Sequence, residues 1–155
     1  MNSYSYSKNS IETKPFIYTN LFLIGVLIEN FYPASFFPAR PSIIVGVFLC
    51  LVSLPFIILA LIELHKAKVI FDPKRARATL ITTSIYKISR NPAYLSMVLF
   101  YIGLAFFFNS IWMIVIVPPA IYMIQKFCVE QEEKVLEARY GTYFTTYKTK
   151  VHRWI

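Results

Sequence analysis

The sequence predicts an all-α integral membrane protein with about four transmembrane helices and a C-terminal cytoplasmic amphipathic helical segment. Of the 155 residues, 57% are hydrophobic and only 15% are charged. The apolar residues are concentrated in runs of a length that crosses a bilayer. Of the 16 Lys and Arg residues, all but Arg40 lie in the N-terminal tail, in 66–91 or in 126–155. Four spans place these three basic segments on one side, which the positive-inside rule makes cytoplasmic.

A chain of this length is expected to form one membrane domain, residues 1–155. The predicted segments are a cytoplasmic tail at 1–15, transmembrane helices at 16–37, 42–64, 92–109 and 111–128, and a cytoplasmic helical segment at 129–155. The tail is polar and has neither the basic start nor the small-residue cleavage site of a signal peptide, so we interpret it as retained. Both termini are then cytoplasmic.

The first span contains one carboxylate, Glu29, which is costly in lipid unless it is paired or interfacial. An interfacial position and a buried structural partnership are both open, and Pro33 favours an early end of the regular helix. A short turn is expected at 38–41. The second span then includes the apolar stretch Ile43–Ile62 of 20 residues, enough to cross the hydrocarbon core. Its Pro55 is tolerated because membrane helices accommodate kinks.

The polar connection from Lys66 to Arg90 is predicted to be an ordered loop with a short helical piece. The third span begins at Asn91-Pro92, where Asn91 is a favourable N-cap and proline suits the first helical position. Asn109-Ser110 is a tight turn, and the fourth span follows with Pro118-Pro119 inside it. From Cys128 the chain keeps helical spacing but becomes charged, with a predicted stop at Gly141.

The positions of the basic residues, cysteines and histidines disfavour several function classes. Nucleic-acid binding is not expected, because the basic residues flank apolar runs instead of forming one patch. Cys50 and Cys128 lie far apart in or beside apolar runs and are expected to be free thiols, and no Cys/His cluster with metal-ligand spacing exists. The two histidines, His65 and His152, lie in no nucleophilic-triad pattern. No catalytic residue is assigned.

Two polar clusters flank the helical hairpin. The first is Ser89-Arg90-Asn91-Pro92-Ala93-Tyr94-Leu95, and the second begins at Glu132-Glu133 and continues through Leu136, Tyr140-Gly141 and Tyr147 to Val151-x-Arg153-Trp154. Together they resemble the isoprenylcysteine carboxyl methyltransferase and phospholipid methyltransferase superfamily of integral membrane enzymes. The resemblance covers about residues 80–155, and the chain departs from the family pattern at Ser84-Ile85, Ser96 and Gln131.

The resemblance implies S-adenosylmethionine as the methyl donor and a lipid or lipid-anchored acceptor taken from the bilayer. It implies a donor site formed by six residues: Arg90, Asn91, Tyr94, Glu132, Glu133 and Tyr140. Arg90 and the helix start suit the donor's carboxylate or ribose hydroxyls. One of the two acids suits its cationic part. The tyrosines suit its adenine.

The expected geometry is a single cytoplasm-facing pocket, because two antiparallel spans join the clusters and bring their polar ends level. The alternative for the acids is a solvated helix face on which they pair with Lys126 or Lys134. Two other functions also remain: a membrane reductase of the same broad clan that uses a nicotinamide cofactor, and a non-catalytic four-span membrane protein.

Overall fold

The computed structural model describes residues 19–66 and 80–155. Every regular element in these ranges is helical, and no strand occurs in them. The elements are α1 (Thr19–Phe31), α2 (Ala39–Lys66), a 3₁₀ turn (Ser84–Lys87), α3 (Pro92–Phe107), α4 (Ile111–Ile124), a π-helical turn (Gln125–Val129), α5 (Glu130–Tyr140) and α6 (Thr142–Lys150). The all-α prediction is confirmed for the described residues, and the predicted tail at 1–15 lies outside them.

Two helix bounds near prolines differ from the prediction, the end of α1 and the start of α2. Helix α1 ends at Phe31, whereas the sequence predicted a span reaching residue 37. The amide of Ala34 donates to Glu29 Oε1 at 3.2 Å, so this carboxylate closes the turn after α1. Helix α2 already begins at Ala39, so the turn predicted at 38–41 is wrong. Proline is accepted in a first helical turn, where its missing N–H has no intrahelical partner.

Among the described residues, two helical stretches are long and apolar enough to cross a membrane, whereas the sequence predicted four spans. Within the described part of the chain, α2 has 28 residues and the continuous helical stretch Ile111–Tyr140 has 30, and both are long and apolar enough to cross a membrane. The described part of α1 and the 16 residues of α3 are shorter. At 1.5 Å per residue, α3 spans about 24 Å, less than the hydrocarbon thickness of about 30 Å.

The chain divides into two compact units. The first comprises the described residues up to Leu49 together with Tyr101–Gln131. Its core is formed by Tyr101, Ala105 and Met113. The predicted turn at Asn109-Ser110 is confirmed, since Asn109 has a φ of 51° and the Ser110 side chain accepts from the amide of Met113.

The second unit comprises residues 50–100 of the described chain and Glu132–Ile155. Its buried residues include Tyr94, Leu95 and Val98 of α3 and Glu133, Phe144 and Tyr147 of the charged C-terminal part. Gly141 has a φ of 49° and separates α5 from α6, so the predicted helix stop is confirmed. Both polar clusters belong to this unit.

Candidate functional site

The first polar cluster ends the segment before α3. Asn91 lies directly before Pro92, the first residue of α3, and its carbonyl accepts from the amide of Leu95 at 3.0 Å. The predicted helix start is therefore confirmed. The Asn91 side chain makes a different contact from the predicted cap, because its Nδ2 donates to the carbonyl of Arg153 at 3.3 Å.

Arg90 and Glu133 form a buried ion pair. Arg90 Nη1 lies 3.1 Å from Glu133 Oε1, and the two side chains are only 11% and 9% exposed. Arg153 occupies the same carboxylate with two nitrogens, Nε on Oε1 at 3.1 Å and Nη2 on Oε2 at 2.7 Å. One carboxylate thus holds two guanidiniums, and the triad carries a net charge of +1.

Tyr94 and Glu132 form the second contact between the clusters. Tyr94 lies in the first turn of α3, is 8% exposed, and donates its hydroxyl to Glu132 Oε1 at 3.0 Å. Glu132 and Glu133 take different partners because neighbouring residues on a helix point about 100° apart. The sequence predicted this division between the two acids without assigning which acid takes which partner.

The solvated-face alternative for the acids is wrong for Glu133. This residue is buried against Arg90 and Arg153. Lys126, which the alternative offered as a partner, instead pairs with Glu130 at 3.1 Å on an exposed part of the helix.

The second cluster also contains two tyrosines, Tyr140 of α5 and Tyr147 of α6. The structure places Tyr140 beside Arg139, whose guanidinium carbon lies 5.8 Å from the ring centroid. Tyr147 donates its hydroxyl to the carbonyl of Tyr86 at 2.6 Å. Burial raises the pKa of Tyr147 to about 12, against the opposing influence of the Arg90 charge. Its phenol therefore remains a donor at physiological pH.

Sequence reasoning missed two residues that complete this arrangement. Ser89 is fully buried, accepts from the amide of Asn91 at 3.1 Å and donates to the carbonyl of Arg153 at 3.2 Å. In the sequence, Arg153 is distinguished only as part of the family pattern Val151-x-Arg153-Trp154. That pattern was the available indication, because the partners of Arg153 lie 20 and more residues away along the chain.

A model of the phospholipid methyltransferase family matches residues 41–143, more than half of the chain, and the match includes Arg90, Tyr94 and both acids. The chain belongs to the phospholipid methyltransferase family. This agrees with the resemblance carried by the two polar clusters. Neither a curated protein nor a solved structure matches the chain.

Membership in the phospholipid methyltransferase family raises the question of what the site holds. Arg90 Nε is buried and has no hydrogen-bond partner among the described residues. A buried guanidinium nitrogen left in this state is costly unless a ligand acceptor reaches it. Over the same described ranges, no group of three His, Cys, Asp or Glu residues is placed to hold a metal ion. The residues present fit an organic ligand that carries an anionic group.

Proposed function

We propose that the protein transfers a methyl group from S-adenosylmethionine to a lipid acceptor at the cytoplasmic membrane face. The observation that carries the proposal is the joining of the two polar clusters within one unit, through Arg90 to Glu133 at 3.1 Å and Tyr94 to Glu132 at 3.0 Å. Family membership supports methyl transfer and a phospholipid-like acceptor.

The chemical groups of S-adenosylmethionine complement this site. The donor has a carboxylate, an ammonium and a positively charged sulfur. Arg90, whose buried Nε has no hydrogen-bond partner within 19–66 and 80–155, suits the carboxylate. Glu133 is already neutralised by two guanidiniums, so Glu132 is the acid we assign to the donor's cationic part. In the proposal, Asn91 lies beside the ribose hydroxyls, and the rings of Tyr94 and Tyr140 cover the adenine.

When bound, the donor supplies an electrophilic methyl group on its sulfonium sulfur. The chain's own residues orient and shield the reacting groups, because methyl transfer is an in-line displacement that depends on alignment and on exclusion of water. Tyr94 fixes the Glu132 carboxylate through its hydroxyl. Arg153 and Arg90 fix Glu133. The polar side chains are thus held before a ligand arrives, which lowers the ordering cost of binding.

The acceptor in this proposal comes from the bilayer, and the surface of α2 supports a lipid environment. Its large apolar residues are strongly exposed, including Ile44 at 70%, Phe48 at 62% and Leu51 at 60%. Such a surface is expected when hydrocarbon, not water, surrounds the helix. We propose that the shorter apolar helices, α1 and α3, also lie in the membrane and that both termini are cytoplasmic.

Two acceptor classes fit a lipid substrate, an aminophospholipid and the carboxylate of a prenylated cysteine. An amine attacks only in its neutral form and needs a base, whereas a carboxylate needs none. Incubation with labelled donor and vesicles that contain either acceptor distinguishes the two. Family membership favours the aminophospholipid.

Donor binding to the purified protein in lipid nanodiscs is the primary test. Wild-type protein is expected to bind labelled S-adenosylmethionine. Glu132→Gln is expected to weaken binding about 10- to 150-fold, the equivalent of about 1.5–3 kcal/mol for a charge-assisted hydrogen bond. Tyr94→Phe is expected to weaken it less, because it leaves the charge of Glu132 in place.

Glu137→Gln is the matched control. Glu137 lies on the same helix, pairs with Lys148 at 3.3 Å and has a side chain that is 45% exposed. This variant should bind the donor as the wild type does. Absence of donor binding in the wild type would contradict the proposed function. Equal affinity of Glu132→Gln and Glu137→Gln would contradict the role of Glu132.

A further inference from the structure

The segment Val151–Ile155 follows α6 and lies against the residues that precede α3. The carbonyl of Arg153 accepts from two polar side chains of the first cluster, Ser89 Oγ at 3.2 Å and Asn91 Nδ2 at 3.3 Å. A main-chain hydrogen bond adds to these contacts, because the amide of Arg90 donates to the carbonyl of His152 at 3.0 Å. These three hydrogen bonds fix the backbone from which the Arg153 side chain extends. This segment lies outside the residues matched by the family model.

The Arg153 side chain turns from this fixed backbone to Glu133. Its two contacts use both carboxylate oxygens, at 3.1 and 2.7 Å, which is the bidentate geometry that guanidinium and carboxylate prefer. Arg90 Nη1 lies 3.1 Å from the same carboxylate, but this contact does not have the geometry of a hydrogen bond. Arg153 therefore holds the stronger position on Glu133, and Arg90 holds the weaker one.

This unequal sharing has an electrostatic consequence for Arg90. With Arg153 present, one negative charge is shared by two positive charges, and the Arg90 Nε remains without a hydrogen bond among the described residues. Without Arg153, Arg90 has access to both oxygens of Glu133, and a neutral one-to-one pair replaces a triad of charge +1. Arg90 would then offer less net charge, and fewer nitrogens, to an anionic ligand.

We propose that Arg153 is a positioning residue for the donor's carboxylate: by occupying Glu133 it keeps the Arg90 guanidinium available to that group. This inference rests on the proposed function and deepens it. Glu133 acts in the same way, as the anchor that orients both guanidiniums. Neither Arg153 nor Glu133 touches the donor in this arrangement.

The test compares two ligands that differ only in the group concerned, S-adenosylmethionine and its decarboxylated analogue. Arg153→Ala is expected to weaken binding of the intact donor about tenfold or more, the scale of one lost charge-assisted bond. Its affinity for the decarboxylated analogue should match that of the wild type. Lys148→Ala, which removes a half-exposed cation of α6 paired with Glu137, is the control and should alter neither affinity.

Arg153→Lys keeps the positive charge but cannot contact both oxygens of Glu133 as the guanidinium does. This variant provides a second measurement if the alanine variant does not fold. It is expected to recover part of the donor affinity and to leave analogue binding unchanged. Equal losses for both ligands would show that the segment only supports the fold, and would overturn the proposal. If Arg153→Ala raises the KM for phospholipid and leaves donor affinity unchanged, Arg90 binds the lipid phosphate instead. That result would also overturn the proposal. A wild type that binds neither ligand would remove the proposed function, and this inference with it.

Discussion

Replacing Glu133 with Gln isolates the energy of the buried charge triad. Gln keeps the shape of Glu but removes the negative charge that two guanidiniums share, and its amide N–H₂ then faces N–H donors. The Glu133 side chain is 9% exposed, and its Arg90 and Arg153 partners are 11% and 29% exposed. Two cations would thus remain close together, largely out of water, with no anion between them.

The magnitude follows from this burial. Removing one partner of a fully buried ion pair costs about 3–5 kcal/mol. Because Arg153 is partly exposed and water screens part of its charge, we expect the lower end of that range, about 3 kcal/mol, for Glu133→Gln. Glu137→Gln removes an exposed pair whose side chains are 45% and 32% exposed, and it should cost at most about 0.5 kcal/mol.

Thermal unfolding in detergent micelles, followed by circular dichroism, measures the difference. For a chain of this size, about 3 kcal/mol corresponds to a decrease in Tm of about 6–12 °C. The Glu137→Gln control is expected to lie within about 2 °C of the wild type. If the two variants unfold at the same temperature, the triad does not carry the energy that its burial implies, and the argument for a fixed Arg90 fails.

Three further predictions test packing, titration and topology. Gly46→Ala should destabilise the protein by about 1–3 kcal/mol in the same unfolding assay, because the added Cβ would lie 2.5 Å from the backbone nitrogen of Phe107. The control is Gly25→Ala, whose added Cβ would contact only side-chain atoms, the nearest at 3.0 Å, and which should cost less. Tyr147→Phe should cost about 1 kcal/mol by loss of the hydrogen bond to Tyr86. Because burial raises the pKa of Tyr147 from 10 to about 12, the wild type should lose stability relative to the variant as pH rises from 10 to 12, and their alkaline denaturation curves should cross within that interval. Tags at both termini should resist external protease in intact cells, and cleavage of either would contradict the proposed cytoplasmic location of the termini.

The sequence predicted the contact between the two polar clusters because both lie at the ends of a helical hairpin. The sequence predicted that Arg90 and one of the two acids line one pocket, not that they form an ion pair. The different directions of Glu132 and Glu133 follow from helical geometry. The start of α3 at Pro92 and the break at Gly141 were predicted because the local backbone preferences of proline and glycine determine them.

The remaining features depend on contacts that a local pattern does not encode. The partnership of Arg153 with Ser89 and Asn91 joins residues 64 and 62 positions apart. The predicted span at 16–37 counted apolar residues beyond Phe31, where the helix ends. Hydropathy reports the preference of side chains for lipid, whereas helix length depends also on backbone hydrogen bonds, which Pro33 limits.

The contact of residues 151–155 with the first polar cluster also bears on when the site forms during synthesis. Ser89 and Asn91 leave the ribosome more than 60 residues before the Arg153 carbonyl that they bind. At a synthesis rate of about 5–20 residues per second, several seconds pass before the carbonyl that these polar groups bind has been made. A chain that has inserted its helices but lacks this segment would therefore be membrane-bound yet without a completed site. Methyl transfer, on the proposed function, becomes available only after the last helix and the residues that follow it have been made.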